Sequence, residues 1–189
     1  MDGGKRMSQA PSNIGGTEFQ WCRSGQSKHA FQLRAVGQEA AVLATLTWQG
    51  AYNAVAELAS SHYRFSREGW FRPHVVVRDT GAGAPDADRL VATYTQRGGA
   101  LTLADGLAFT WRKPQRWTNE RDWVDDTGHT VMRLYPGKGQ TSVVVDVPAL
   151  EGSWVLLLLA LGQYLLVLAA KEAEDAIAAA MTSVIVSAT

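Results

Sequence analysis

Along much of this chain apolar and polar side chains alternate, and near its end the alternation stops. Phe31, Leu33 and Ala35 flank Gln32 and Arg34, and Leu46 and Trp48 flank Thr47. Tyr63 and Phe65 stand among His62, Arg64 and Ser66. A period of two sends one set of side chains to one face of a strand and the other set to the opposite face. Val75, Val76 and Val77 form a β-branched run after Pro73, which predicts a strand over 71–78 with its proline where a missing N–H is tolerated. Further short strands are expected at 90–95, 100–103, 107–111, 116–124, 129–135 and 140–147, while 52–60 fits either a strand or a short helix. Between them lie Arg97-Gly98-Gly99, Asp105-Gly106, Asp126-Thr127-Gly128 and Pro136-Gly137-Lys138-Gly139. These supply the positive-φ positions that tight hairpins need. The sum is roughly ten to twelve short strands at regular spacing, the signature of an antiparallel barrel or sandwich.

Residues 154–170 break this pattern. The run from Trp154 to Ala170 carries no charge and one strongly polar side chain, Gln163. Its Leu and Ala content favours helix, and that helix is apolar on every side. It is about 25 Å long at ~1.5 Å per residue, the lower limit for a bilayer span. The flanks argue for a core helix: Glu151 precedes it, and Glu172, Glu174 and Asp175 follow, with Lys171 the one nearby base. No Lys/Arg cluster orients it and no aromatic belt extends beyond Trp154. The strands also need an apolar cover for their inward side chains. The expected fold is therefore mainly β: a closed antiparallel β-barrel of about twelve strands around a hydrophobic C-terminal helix at about 153–170, with Ser153 as its N-cap. The alternative is a tail-anchored protein with a cytoplasmic β-domain and residues 154–170 as the membrane span. Gly162 is expected to admit a closely packed strand side chain. Gln163 is expected to find a buried partner or face a barrel mouth. Residues 171–181 read as the same helix emerging from the barrel, and 183–187 as a last short strand.

Residues 1–29 are rich in Gly, Ser, Asn and Gln, and are expected to be a disordered leader in which either Met1 or Met7 serves as the start. Residues 30–189 then form one domain. The chain has 189 residues, 46% hydrophobic and 19% charged, enough for a substantial core. Its 18 Lys plus Arg equal its 18 Asp plus Glu, which argues against a nucleic-acid partner. The single cysteine, Cys22, excludes an internal disulfide and fits a reducing compartment. With no apolar run after Met1-Asp2-Gly3-Gly4-Lys5-Arg6 and no lipidation motif, the expected location is cytoplasmic, at most peripheral to a membrane.

Catalytic chemistry finds little support. No serine sits in a nucleophile elbow, and His29, His62, His74 and His129 lack zinc-site spacing. Asp125-Asp126-Thr127-Gly128 reads as a turn, and Gly137-Lys138-Gly139 has too few glycines for a phosphate loop. No enzyme activity, cofactor or metal is expected. An enzyme at the barrel mouth would need a convergent acid–base pair. The candidate binding residues are Arg112, Lys113, Arg116 and Arg121, interleaved with Trp111, Trp117 and Trp123. Cations of this kind pair with phosphates, and tryptophan favours a membrane interface. The plainer reading is a solvated face with its rings packed inward, diluted by Glu120 and Asp122. Arg64, Arg67, Arg72 and Arg78 read as the wet face of strands.

Three features resemble the tubby-like superfamily, which includes LURP-one-related proteins and phospholipid scramblases. They are the meander over 63–147, its units Leu101–Trp111 and Trp123–Val131 with Asp and Gly in the turns between strands, and the helix at 154–170. The resemblance covers about residues 30–189 and rests on layout. It implies a barrel of about twelve strands around a C-terminal helix, and binding rather than catalysis. The expected partner is an anionic phospholipid, a membrane surface or a protein, and the expected state is a monomer. No phosphoinositide-binding Lys/Arg set aligns residue by residue, and no calcium loop is present.

Overall fold

The computed structural model describes residues 16–25, 27, 29–38, 41–58, 61–81, 88–146 and 154–187, with side chains as far as Met181. Its strands are β1 (Gly16–Arg23), β2 (Ala30–Ala35), β3 (Ala44–Trp48), β4 (Asn53–Leu58), β5 (Ser61–Glu68) and β6 (His74–Asp79). There follow β7 (Arg89–Thr95), β8 (Ala100–Leu103), β9 (Ala108–Arg112), β10 (Arg121–Asp125), β11 (Thr130–Pro136) and β12 (Gln140–Asp146). One helix, α1 (Val155–Ser187), completes the order. Each strand pairs antiparallel with its chain neighbour, and β1 pairs with β12, so the sheet is a closed twelve-strand barrel. Closure removes every free sheet edge.

The closing strand lies in the segment expected to be a disordered leader. β1 pairs with β12 from Gly16↔Asp146 to Cys22↔Gln140, and with β2 from Phe19↔Ala35 to Arg23↔Phe31. Phe19 and Trp21 point into the core, where Trp21 is wholly buried. Two large rings on one parity suffice to hold a strand whose other residues are polar. Residues 1–15, and with them the choice of start, lie outside the described residues.

Other boundaries moved as well. Residues 53–58 form a strand, because Ala54, Ala56 and Leu58 are buried with period two. The strand expected over 71–78 begins at His74, so Phe71 and Pro73 belong to a turn. The strand expected over 116–124 begins at Arg121, which leaves Arg116 and Trp117 in a loop. The short strand expected at 183–187 is helix instead. The proposed cap, Ser153, lies outside the described residues.

Helix α1 fills the barrel. A helix is ~10 Å across, and twelve strands enclose room for one. Leu157, Leu158, Leu159, Ala160, Leu161, Tyr164, Leu165 and Leu168 are buried on all sides of the helix against inward strand residues. Each buried leucine stabilises the fold by about 1.5–3 kcal/mol. Over Val155–Met181 the helix is long and apolar enough to cross a membrane, but of the part read as a possible span, residues 155–168 are buried or half-buried against protein. Two hydrogen bonds fix its register: Trp123 Nε1 donates to the Leu158 carbonyl at 3.1 Å, and the Tyr164 hydroxyl donates to the Tyr52 carbonyl at 2.7 Å. Tyr164 also stacks between Trp48 and Phe65, with centroids 5.0 and 5.3 Å away. Gly162 meets the Leu134 methyls and the Trp123 ring, the close packing its position implied.

Candidate functional site

Strand parity and turn placement give the barrel two different ends. The helix enters beside Trp154, whose ring lies 4.8 Å from that of Phe109. At this end Asp79, Asp125 and Asp146 close their strands, and Asp88, Asp105 and Asp126 sit in turns. Asp125 is bound within its turn: its Oδ1 accepts from Thr127 N, Thr127 Oγ1 and His129 N at 3.0, 2.7 and 2.9 Å. Desolvation pushes its pKa up, but these hydrogen bonds and the charge of His129 together outweigh it and hold the carboxyl below the usual range. The Asp125-Asp126-Thr127-Gly128 segment is thus a turn.

The other end, where α1 leaves the barrel, is cationic. The turns after β1, β3, β5, β7, β9 and β11 all lie there. They carry exposed Arg72, Arg97, Lys113, Arg116 and Lys138, next to exposed Arg23 and Arg112 on strand ends. Between the helix and strands β7 to β10 lies a cavity of about 540 Å³. Arg112, Lys113 and Arg121 line it, with Tyr94, Gln96, Gly98, Gly99, Trp111 and Glu172. Gly99 shapes the floor: its φ is +70°, and a Cβ there would lie 2.2 Å from the Trp111 carbonyl oxygen, so no other residue fits this approach. Trp111 in turn packs on Trp123, with centroids 4.7 Å apart.

The structure therefore brings three of the four expected residues to one cavity. Arg112 faces out at the end of β9, exposed, with no ion pair among the described residues. Lys113 Nζ donates to the Arg116 carbonyl at 3.2 Å, which joins Arg116 to the group through its backbone while its guanidinium stays exposed outside the cavity. Arg121 shares the inward parity of Trp123 and donates to the Glu120 carbonyl at 2.9 Å. Of the interleaved rings, Trp111 and Trp123 pack inward, while Trp117 is 83% exposed. Asp122, which was expected to dilute the charge, is buried; it accepts from Arg133 Nε and Nη2 at 2.7 and 3.0 Å. That contact raises the Arg133 pKa still further.

Other functional positions were missed. Arg67, expected on a wet strand face, points into the mouth: its Nε lies 3.1 Å from Glu172 Oε1, off the hydrogen-bond axis, and its guanidinium stacks 5.0 Å over Tyr52. Gln96 Nε2 donates to the same Glu172 oxygen at 3.3 Å. Glu172 is thus engaged from two sides. Arg64 and Arg78 do lie on the outer face, paired with Asp88 and Glu68. Burial pushes the Tyr94 phenol up to about 12, with Arg121 lowering it and Glu172 raising it, so it stays a neutral donor at neutral pH. Arg67 was discoverable, because it stands two residues from the buried ring of Phe65. The cavity offers cations and hydrogen-bond donors to an anion, and no nucleophile–base pair converges among its lining residues. A second cavity of about 400 Å³ flanks the helix on its other side, between Arg23, Trp48, Gln140, Gln163 and Lys171. Gln163 faces this mouth cavity and is 4% exposed. No family model, curated protein or solved structure matches this chain.

Proposed function

We propose that this protein is a non-catalytic barrel that binds the anionic headgroups of a phospholipid surface through the mouth from which α1 emerges. One observation carries the reading: Arg112, Lys113 and Arg121 line a single cavity at an end of the barrel that also carries Arg72, Arg97, Arg116 and Lys138, while six aspartates mark the other end. A chain with no net charge thereby presents a cationic face to a negative membrane and turns its acidic end away. Arginine and lysine suit phosphate groups as fork and point charge respectively. The twelve-strand barrel around a C-terminal helix agrees with the layout of the tubby-like superfamily and supports a binding role for the same reason that suggested it.

The test is cosedimentation of the full chain with phosphatidylcholine vesicles with and without phosphatidylserine. Binding should require the anionic lipid and weaken as salt rises. Each basic residue near an anionic surface contributes about 1 kcal/mol. The variant Arg112→Ala with Lys113→Ala should therefore bind about thirtyfold more weakly. Arg116→Ala adds a smaller loss of the same sign. Equal binding to neutral and anionic vesicles, or an unchanged double variant, refutes the assignment.

A further inference from the structure

Headgroup recognition leaves one feature unused: α1 does not stop at the mouth. Leu168 is the last buried residue among its described side chains, yet the helix continues to Ser187, and every described side chain from Ala173 to Met181 is exposed. After Asp175 no charged residue occurs through residue 187. Ile177 and Met181, 57% and 64% exposed, lie four residues apart and share a face. Twelve residues at ~1.5 Å each reach about 18 Å, close to the roughly 15 Å of hydrocarbon in one leaflet. A helix satisfies its own backbone and so can enter that medium.

The base of this extension is ringed by aromatics. Trp70 and Phe71, in the turn after β5, are 90% and 94% exposed, and Trp117, in the turn after β9, is 83% exposed. Among the described residues, the three large exposed rings all lie at this end of the barrel. Past Glu172, Glu174 and Asp175 at the mouth the helix is uncharged, and the rings and cations around it match a bilayer's layers: cations at phosphate level, tryptophan just beneath, apolar side chains deepest. We infer that residues 176–187 of α1 insert into a single leaflet of an anionic membrane, with Trp70, Phe71 and Trp117 at the interface and the barrel standing mouth-down. The inference rests on the headgroup reading for attraction to the surface, but it adds burial in hydrocarbon, which electrostatic binding does not require.

The experiment uses the full chain carrying Cys22→Ser and Met181→Cys, labelled with an environment-sensitive fluorophore. A second labelled chain carries Cys22→Ser and Leu107→Cys at the opposite end of the barrel. Vesicles contain phosphatidylcholine and phosphatidylserine, with nitroxide on the acyl chains at shallow or deep positions. The probe at 181 should shift to the blue on vesicle addition and be quenched most by the deep nitroxide, while the probe at 107 stays unchanged. In the unlabelled chain, Ile177→Asp with Met181→Asp should weaken vesicle binding at least about tenfold, since burying one such side chain is worth that factor. Its elution volume and thermal unfolding should not change, because both residues are exposed. A bound protein whose probe at 181 stays in water overturns insertion and leaves headgroup binding standing. A probe at 181 buried equally in vesicles lacking phosphatidylserine supports insertion and removes the headgroup reading. A blue shift without vesicles that grows with protein concentration shows a second copy covering this face and overturns the inference.

Discussion

Gly162 offers a direct test of how tightly α1 packs in the core of the barrel. It lies where the helix meets β10 and β11. A Cβ at this position would sit 2.9 Å from Leu134 Cδ2 and 3.2 Å from Trp123 Nε1. Carbon atoms pack at about 3.5–4.0 Å, so the Leu134 methyl must retreat by about 0.6 Å. Leu134 is fully buried, in an interior with little slack. Two terms then oppose each other in Gly162→Ala. Helix propensity favours alanine by about 1 kcal/mol. Overpacking costs about 1–3 kcal/mol. Trp123 decides the sign. Its Nε1 donates to the Leu158 carbonyl at 3.1 Å in a buried setting, and complete loss of such a bond costs about 1–3 kcal/mol. Displacing the indole forfeits part of that.

The expected result is a destabilisation of about 1–2 kcal/mol for Gly162→Ala, or roughly 2–8 °C in Tm for a domain of this size. Compared with alanine, valine at 162 adds two more methyls and gives back part of the propensity gain, so Gly162→Val should cost about 3 kcal/mol or more. Thermal and urea unfolding followed by far-ultraviolet circular dichroism measure both. A rise in Tm for Gly162→Ala would mean that Leu134 and Trp123 yield at little cost, and the tight packing argued for this contact then fails.

Three further outcomes follow from the same packing. A chain ending at Leu150 loses the helix that covers the inward strand residues; it should aggregate without cooperative unfolding, and a soluble, cooperative truncation would sink the core assignment. Tyr94 has a folded pKa of about 12 against an ordinary 10.0; the folded state therefore holds its proton more tightly, so the stabilisation is complete below pH 10 and is lost as pH rises towards 12. That loss approaches about 3 kcal/mol and should be smaller in Tyr94→Phe, whereas parallel urea midpoints for the two chains across that range would contradict it. Asp122→Ala leaves Arg133 without its carboxylate where the guanidinium side chain is only 22% exposed, so stability should fall by about 3 kcal/mol; a fall below about 0.5 kcal/mol, the scale of an ordinary surface change, would show that water replaces the pair.

How much of this was legible in the sequence depends on where the interior is dry. In the middle of the barrel inward means apolar, and alternation marked β2, β3, β5 and β7 to β12 well enough to suggest closure. The tail of the chain shows a different limit. Val184-Ile185-Val186 has strand composition, but β1 already occupies the slot between β12 and β2. A closed barrel has no edge for another strand, so local helix continuity prevails. β1 itself was hidden because its inward rings, Phe19 and Trp21, sit in a polar stretch whose average composition resembles a disordered leader.

At the mouth the rule that inward means apolar inverts, and this is why Arg67 was read as an outer-wall residue. Arg67 continues the inward parity of Phe65, and Arg121 anticipates that of Trp123. Judged by charge, both look like solvent-facing residues. Judged by parity, both belong inside. The two judgements agree once the inward direction at a strand end is taken to lead into a wet cavity beside the emerging helix. There a cation keeps its hydration, meets Glu172 or Tyr94 on its neighbours, and remains within reach of an anionic ligand. Parity carried past the last buried ring therefore locates mouth-lining charges in a barrel of this kind, and charge patterning alone misassigns them to the outer wall.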